Sequence, residues 1–192
     1  MKLIRYFCEY ILIIILFCFF KILGYRIASE FGCFLGKTFG PFFRSKKKIQ
    51  NNLIKFDNSL TPQKIKNILK EMWGNYGRIL SEYPYIPSFR KGNLDQYIKF
   101  ENKEKLEEIK NGQPVVFISA HFSNFELMAM AIEKSGINLC AVYRPLNNKM
   151  VNSIMEPLRK KYICKNQIKK GKRGTRELLN LFNKKFSVAL MI

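Results

Sequence analysis

His121 and Glu126 stand five positions apart in His121-Phe122-Ser123-Asn124-Phe125-Glu126, and His121 is the only histidine among 192 residues. An imidazole has an ordinary pKa of about 6.5, so it can accept a hydroxyl proton near neutral pH if its tautomer is fixed. A carboxylate one helical turn away can fold back and hold one ring nitrogen, as the acid does in a Ser-His-Asp triad. No serine nucleophile is required here, because the attacking hydroxyl can belong to the substrate. Spacing alone leaves a second reading open. Ser123-x-x-Glu126 also fits a capping box, in which Ser123 starts a helix and Glu126 bonds the N-cap amide. That explains Ser123 and Glu126 without chemistry, and it leaves the histidine unexplained.

The elements around this box follow from periodicity. Val115–Ala120 is an apolar run that reads as a buried strand, with His121 at its carboxyl end, and Asn124–Lys134 reads as a helix. Further strands are expected at Tyr97–Phe100, at Asn138–Tyr143 and, as the third apolar one, at Phe186–Met191. Helices are expected over Lys103–Lys110 (closed by Gly112 at C′), over Lys149–Tyr162 with a break near Pro157, and over Arg173–Asn183. Upstream, Thr61-Pro62 starts an amphipathic helix whose apolar positions run from Ile65 to Tyr83 at spacings of three and four, and Pro84 and Pro87 end it. Alternating strands and helices predict an α/β sheet with parallel pairs, and ligands bind at the carboxyl ends of such strands.

Two basic features bear on that edge. Arg144 follows the strand ending at Tyr143, so it should emerge beside His121, where its fork suits phosphate or carboxylate. A surface salt bridge explains it as well. Lys169 to Arg176 is a basic, glycine-punctuated lead into a helix; it is no P-loop, and Arg176 fits a solvated helix face as readily as an anion site.

Composition narrows the partners. The formal net charge is +20, from 34 Lys+Arg against 14 Asp+Glu. That suits nucleic acid, an anionic membrane or an acidic carrier protein, with drift towards Lys, Ile, Asn and Phe as the plain alternative. The charge is scattered, and the apolar N-terminus argues for a bilayer over nucleic acid. The five cysteines form no C-x-x-C pair and no metal-ligand spacing, so neither disulfides nor zinc are expected. Leu3–Leu23 is apolar enough for a membrane helix, although it is at the short end of the about 20 residues a span needs. Basic residues beyond it (Arg26, Lys37 and the Arg44–Lys48 cluster) outnumber Lys2 and Arg5 before it, which places the body in the cytoplasm. Three regions follow: a membrane anchor over 1–24, an interfacial basic and aromatic segment over 25–60, and a partial domain that holds the histidine box over 61–192.

Together the anchor, the aromatic helix Trp73–Tyr83, the H-x-x-x-x-E box, Val142-Tyr143-Arg144-Pro145-Leu146-Asn147-Asn148 and the Gly174–Leu179 block resemble the late acyltransferases of lipid A biosynthesis. The H-x-x-x-x-[DE] box alone is shared with glycerolipid acyltransferases, whose Pro-Glu-Gly block is not found here. The resemblance implies a glycerolipid-acyltransferase-like mixed sheet flanked by helices. It implies acyl transfer from acyl carrier protein to a hydroxyl of an anionic lipid A precursor at the cytoplasmic face of the cell inner membrane, without a cofactor or a metal. His121 would be the base and Glu126 its assistant, while Arg144 and Arg176 would hold phosphates or the developing oxyanion. In that family chain continues beyond the strand matching Phe186–Met191, so the resemblance also implies an incomplete sheet. The rival expectations are a glycerolipid acyltransferase, or a membrane-associated remnant without catalysis.

Overall fold

The computed structural model describes residues 2–43 and 45–191, so Arg44 of the basic cluster and Ile192 lie outside the described residues. Two units are resolved: 1–15 with 86–192, and 16–85. These cut across the expected regional boundaries at 24 and 60, because α1 (Lys2–Leu23) contributes its first half to one unit and its second half to the other.

The first unit holds the sheet. Its strands are β1 (Val116–Ser119), β2 (Leu139–Tyr143), β3 (Asn166–Lys169) and β4 (Ser187–Met191), in the order β1-β4-β2-β3. Every pairing is parallel among the described residues, so the antiparallel part of the expected mixed sheet is not among them. The connecting helices are α7 (Glu126–Lys134), α8 (Lys149–Tyr162) and α9 (Lys172–Asn183), preceded by α5 (Ile86–Arg90) and α6 (Glu104–Asn111). Alternation divides the two faces of the sheet. Cys140, Ile168 and Val188 form a core with Val142, Leu190 and, from α9, Leu178, Leu181 and Phe182. Ala141, Tyr143, Gln167, Ala189 and Met191 alternate with them and face a cavity.

Several expectations are corrected. Tyr97–Phe100 is no strand: Asp95–Tyr97 is a 3₁₀ turn, because a short alternation finds no strand to pair with. Gly112 closes α6 at φ −103°, outside the left-handed region that a C′ glycine usually occupies. Pro157 does not break α8. That helix is pinned by its Asn148 cap, whose side chain accepts from Met150 N and Val151 N, and by the buried Val151 and Met155. The expected buried strand β1 leaves Val116 and Ile118 49% and 63% exposed, since it is an edge strand with one face uncovered. β3 has no counterpart among the expected strands, so Phe186–Met191 supplies the fourth strand.

Glu156 joins α8 to the sheet. Its carboxylate accepts from Lys160, Lys169 and Asn152. The Lys160 bond first, then the Tyr143 hydroxyl and the Asn152 amide, hold its pKa down to about 2 from 4.5. The sign follows: the stabilisation is complete above pH 4.5 and is lost as pH falls towards 2. Denaturant midpoints measured across that window should fall for the wild type and flatten for Glu156→Gln.

In the second unit the second half of α1 precedes α2 (Tyr25–Phe39), α3 (Lys46–Phe56) and α4 (Pro62–Glu82). Gly24 adopts φ 77° between α1 and α2, a conformation open to glycine. Thr61 caps α4 as expected, its hydroxyl accepting from Lys64 N at 3.3 Å. Pro84 and Pro87 lie in the 3₁₀ turn Tyr83–Tyr85 and in α5 that follow α4. Of the expected apolar positions of α4, Ile65, Leu69, Ile79 and Tyr83 are buried as expected, Ile68 and Tyr76 are exposed, and the seam with α2 is made of small residues. Gly32 faces Gly77 and Ser81, Gly36 faces Trp73 and Gly77, and Gly40 faces the Trp73 ring, so the helices run antiparallel with their backbones in contact. Ser29 Oγ donates to Glu82 Oε1 at 2.6 Å, and Arg78 clamps Glu30 at 2.7 and 3.0 Å.

Candidate active site

β1 ends at Ser119, and the chain turns at once: Phe122 N donates to Ala120 O at 2.8 Å, placing His121 at the apex of a three-residue turn. The imidazole is exposed, and Phe125 meets it edge to face with ring centroids 4.6 Å apart. Ser123 then adopts φ 46°, and the N-cap of α7 is Phe125, with no side-chain cap. The helix therefore starts from Phe125 and not from Ser123, the N-cap that Ser123-x-x-Glu126 suggests.

Glu126 opens α7, where the helix N-terminus favours a negative charge. Its carboxylate is buried, and Arg159 of α8 reaches it: Nε and Nη2 both donate to Oε1, at 2.9 and 2.5 Å. The side chains of Arg159 and Glu126 are 13% and 9% exposed, so the pair is largely withdrawn from water. Nothing in the sequence signalled Arg159, because no local spacing links residues 33 positions apart on different helices.

His121, Glu126, Arg144, Arg159, Gln167 and Lys170 line one cavity of about 540 Å³, floored by Ala141, Tyr143 and Ala189. It opens at the carboxyl ends of the parallel strands, where such sheets bind ligands. Three cations and one carboxylate give the lining a positive balance suited to an anionic ligand. The structure brings His121, Glu126 and Arg144 together, as their positions in sequence suggest. It places Arg176 elsewhere, exposed on α9, outside the residues that line the cavity. Lys170, at the end of β3, belongs to the basic stretch but reaches the cavity only because β3 is a strand.

The thiols near the sheet are sealed. Burial pushes Cys140 up to about 11 and Cys164 up to about 12. Maleimide at pH 8 should leave both unlabelled in the folded protein and label both after denaturation, as read by peptide mass spectrometry. Among the described residues no group of three or more His, Cys, Asp or Glu is placed to hold a metal ion.

Comparison with known proteins finds no match among curated proteins or solved structures. A family model does match, that of the bacterial lipid A biosynthesis acyltransferases, and it covers residues 1–191. The match covers the N-terminal apolar helix, the histidine box and the cationic sheet edge together: the chain belongs to the bacterial lipid A biosynthesis acyltransferase family.

Proposed function

We propose that this acyltransferase moves a fatty acyl group from the thioester of acyl carrier protein to a hydroxyl of a phosphorylated lipid A precursor. His121 removes the hydroxyl proton as the oxygen attacks the thioester carbonyl. The tetrahedral intermediate collapses with loss of the carrier's thiolate, which receives the proton back from the imidazolium. Glu126 assists the imidazolium electrostatically, and Arg159 holds that carboxylate in place. Arg144 and Lys170 bind acceptor phosphate, and Arg144 faces the developing oxyanion. Arg176, on the far helix, is a contact for the acidic carrier. No cofactor is needed, since the thioester supplies the activated acyl group. Helix α1 attaches the chain to the inner membrane, with the cavity on the cytoplasmic face.

The observation that carries this reading is the convergence of His121, Glu126 and three cations on one cavity at the sheet edge. The test is transfer with purified chain, acyl carrier protein thioester and a bis-phosphorylated precursor, with glycerol 3-phosphate as a second acceptor. A precursor heavier by one acyl group supports the reading. Acylation of glycerol 3-phosphate alone, or of neither acceptor, overturns it.

A further inference from the structure

Helix α9 carries cations at the end that repels them. A helix C-terminus stabilises positive charge, and Lys184 at the C-cap obeys that rule. The other end does not. Lys172 and Arg173 are the first two residues of α9, Arg176 follows one turn later, and the first turn holds no acidic residue. Gly171 precedes the helix and has no side chain to cap it. Lys172 and Arg176 are four positions apart on one face, a spacing at which like charges repel. No acidic residue occurs between Glu156 and Glu177 in the sequence. Lys169 shares Glu156 with Lys160, whereas Lys170, Lys172, Arg173 and Arg176 are exposed and form no ion pair among the described residues. These cations weaken the helix they begin, and local conflicts of that kind concentrate at functional sites.

The patch is held beside the catalytic cavity. Lys170 lines that cavity, and its amide donates to Tyr143 O at 2.9 Å, at the carboxyl end of β2. α9 begins two residues later. A Cβ on Gly174 would strike the Lys169 carbonyl oxygen, so the first turn of α9 is pressed against the end of β3. Behind it Leu178, Leu181 and Phe182 pack on the sheet. Helical spacing then leaves Lys172, Arg176 and Leu179 as an outward stripe with Arg173 beside it, and Leu179 is 59% exposed.

The chemistry of the stripe selects its partner. Inside the cavity the acceptor's phosphates have Arg144 and Lys170. A donor carried on a protein needs a surface outside the cavity, close enough for its thioester to reach His121. Exposed cations around an apolar side chain complement an acidic protein surface. A bilayer fits less well, because helices that lie in membranes bury a broad apolar face and α9 turns its own to the sheet. Single-stranded nucleic acid stacks on aromatic side chains, and the outward stripe has none.

We infer that the outward face of α9, with Lys172, Arg173, Arg176 and Leu179, is the docking surface for the acidic carrier that delivers the thioester. The inference rests on the proposed carrier-bound donor and locates where that protein sits. The test compares the full chain with its double variant Lys172→Glu, Arg173→Glu. Fluorescence anisotropy with labelled acyl carrier protein gives Kd, and transfer assays give kcat and the KM of each substrate. Acidic residues at a helix start suit its dipole, so the variant should melt no lower than the wild type. Kd and KM for the carrier should both rise about tenfold or more, because two attractive charges become repulsive. At saturating carrier, kcat and the acceptor KM should stay as they are. Wild-type affinity for the carrier should fall as salt is added. Unchanged carrier affinity in the variant overturns the inference. If affinity for phosphatidylglycerol vesicles falls in its place, the stripe meets lipid; if the acceptor KM rises in its place, the stripe belongs to the acceptor site. A wild type that does not bind the carrier overturns the inference and the proposed donor together. A wild type that binds the carrier through these residues but transfers nothing from it sinks the donor alone and leaves the docking surface standing.

Discussion

Replacing His121 by alanine should lower acyl transfer about a thousandfold, the middle of the range for losing a general base. Stability should hardly change. The imidazole is exposed, and its described contact is one edge-to-face packing with Phe125, worth about 1 kcal/mol. Loss of turnover with an unshifted melting curve is therefore the expected signature, and undiminished turnover would sink the base assignment. Arg159→Ala should behave in the opposite manner. It leaves the buried Glu126 carboxylate without its guanidinium and should cost about 3 kcal/mol or more of stability as well as activity. Arg159→Lys, which keeps the charge but not the fork, should recover most of the stability and only part of kcat. If Arg159 works through Glu126, its substitution should lower kcat much less in a Glu126→Gln background than in the wild type.

The second large effect lies far from the cavity, at Gly77 of α4. A methyl group there would stand against the carbonyl oxygen of Gly32, a backbone atom that no rotamer change can move. Gly77→Ala should therefore force α2 and α4 apart, at a cost of about 3 kcal/mol. For a chain of this size that is a fall of roughly 10 °C in Tm, measurable by thermal unfolding in detergent. Gly24→Ala is the informative contrast. Nothing stands near its missing side chain, so only the φ of 77° opposes it, and about 1 kcal/mol is expected.

Much of the site was legible because its parts are local. A histidine directly after an apolar run, and an arginine directly after the next, mark the ends of two parallel strands, and both reach the same cavity. The Thr61-Pro62 start was legible for the same reason: the cap and its amide partner are three residues apart. What escaped depends on tertiary partners. β3 reads Asn166-Gln167-Ile168-Lys169, with Ile168 as its single buried side chain, so an edge strand left no apolar run to notice. The Ser123-x-x-Glu126 pattern pointed to Ser123 as the N-cap, whereas Ser123 turns into the left-handed region and α7 starts from Phe125. The seam of α2 and α4 was hidden because hydrophobic periodicity counts large residues, and this seam is built from missing ones.

The strand order β1-β4-β2-β3 has a consequence for how the molecule is made. β4 lies between β1 and β2 although it follows both in the chain, so β1 and β2, which both pair with β4, must wait for it. While they wait, each presents an open row of backbone donors and acceptors, a state prone to pairing with other chains. The helices of residues 16–85 leave the ribosome well before β4 does, and their small-residue seam needs nothing that comes later. Biogenesis is thus staged: the helices of residues 16–85 can pack on one another first. The sheet closes only when residues 187–191 arrive to pair with both waiting strands.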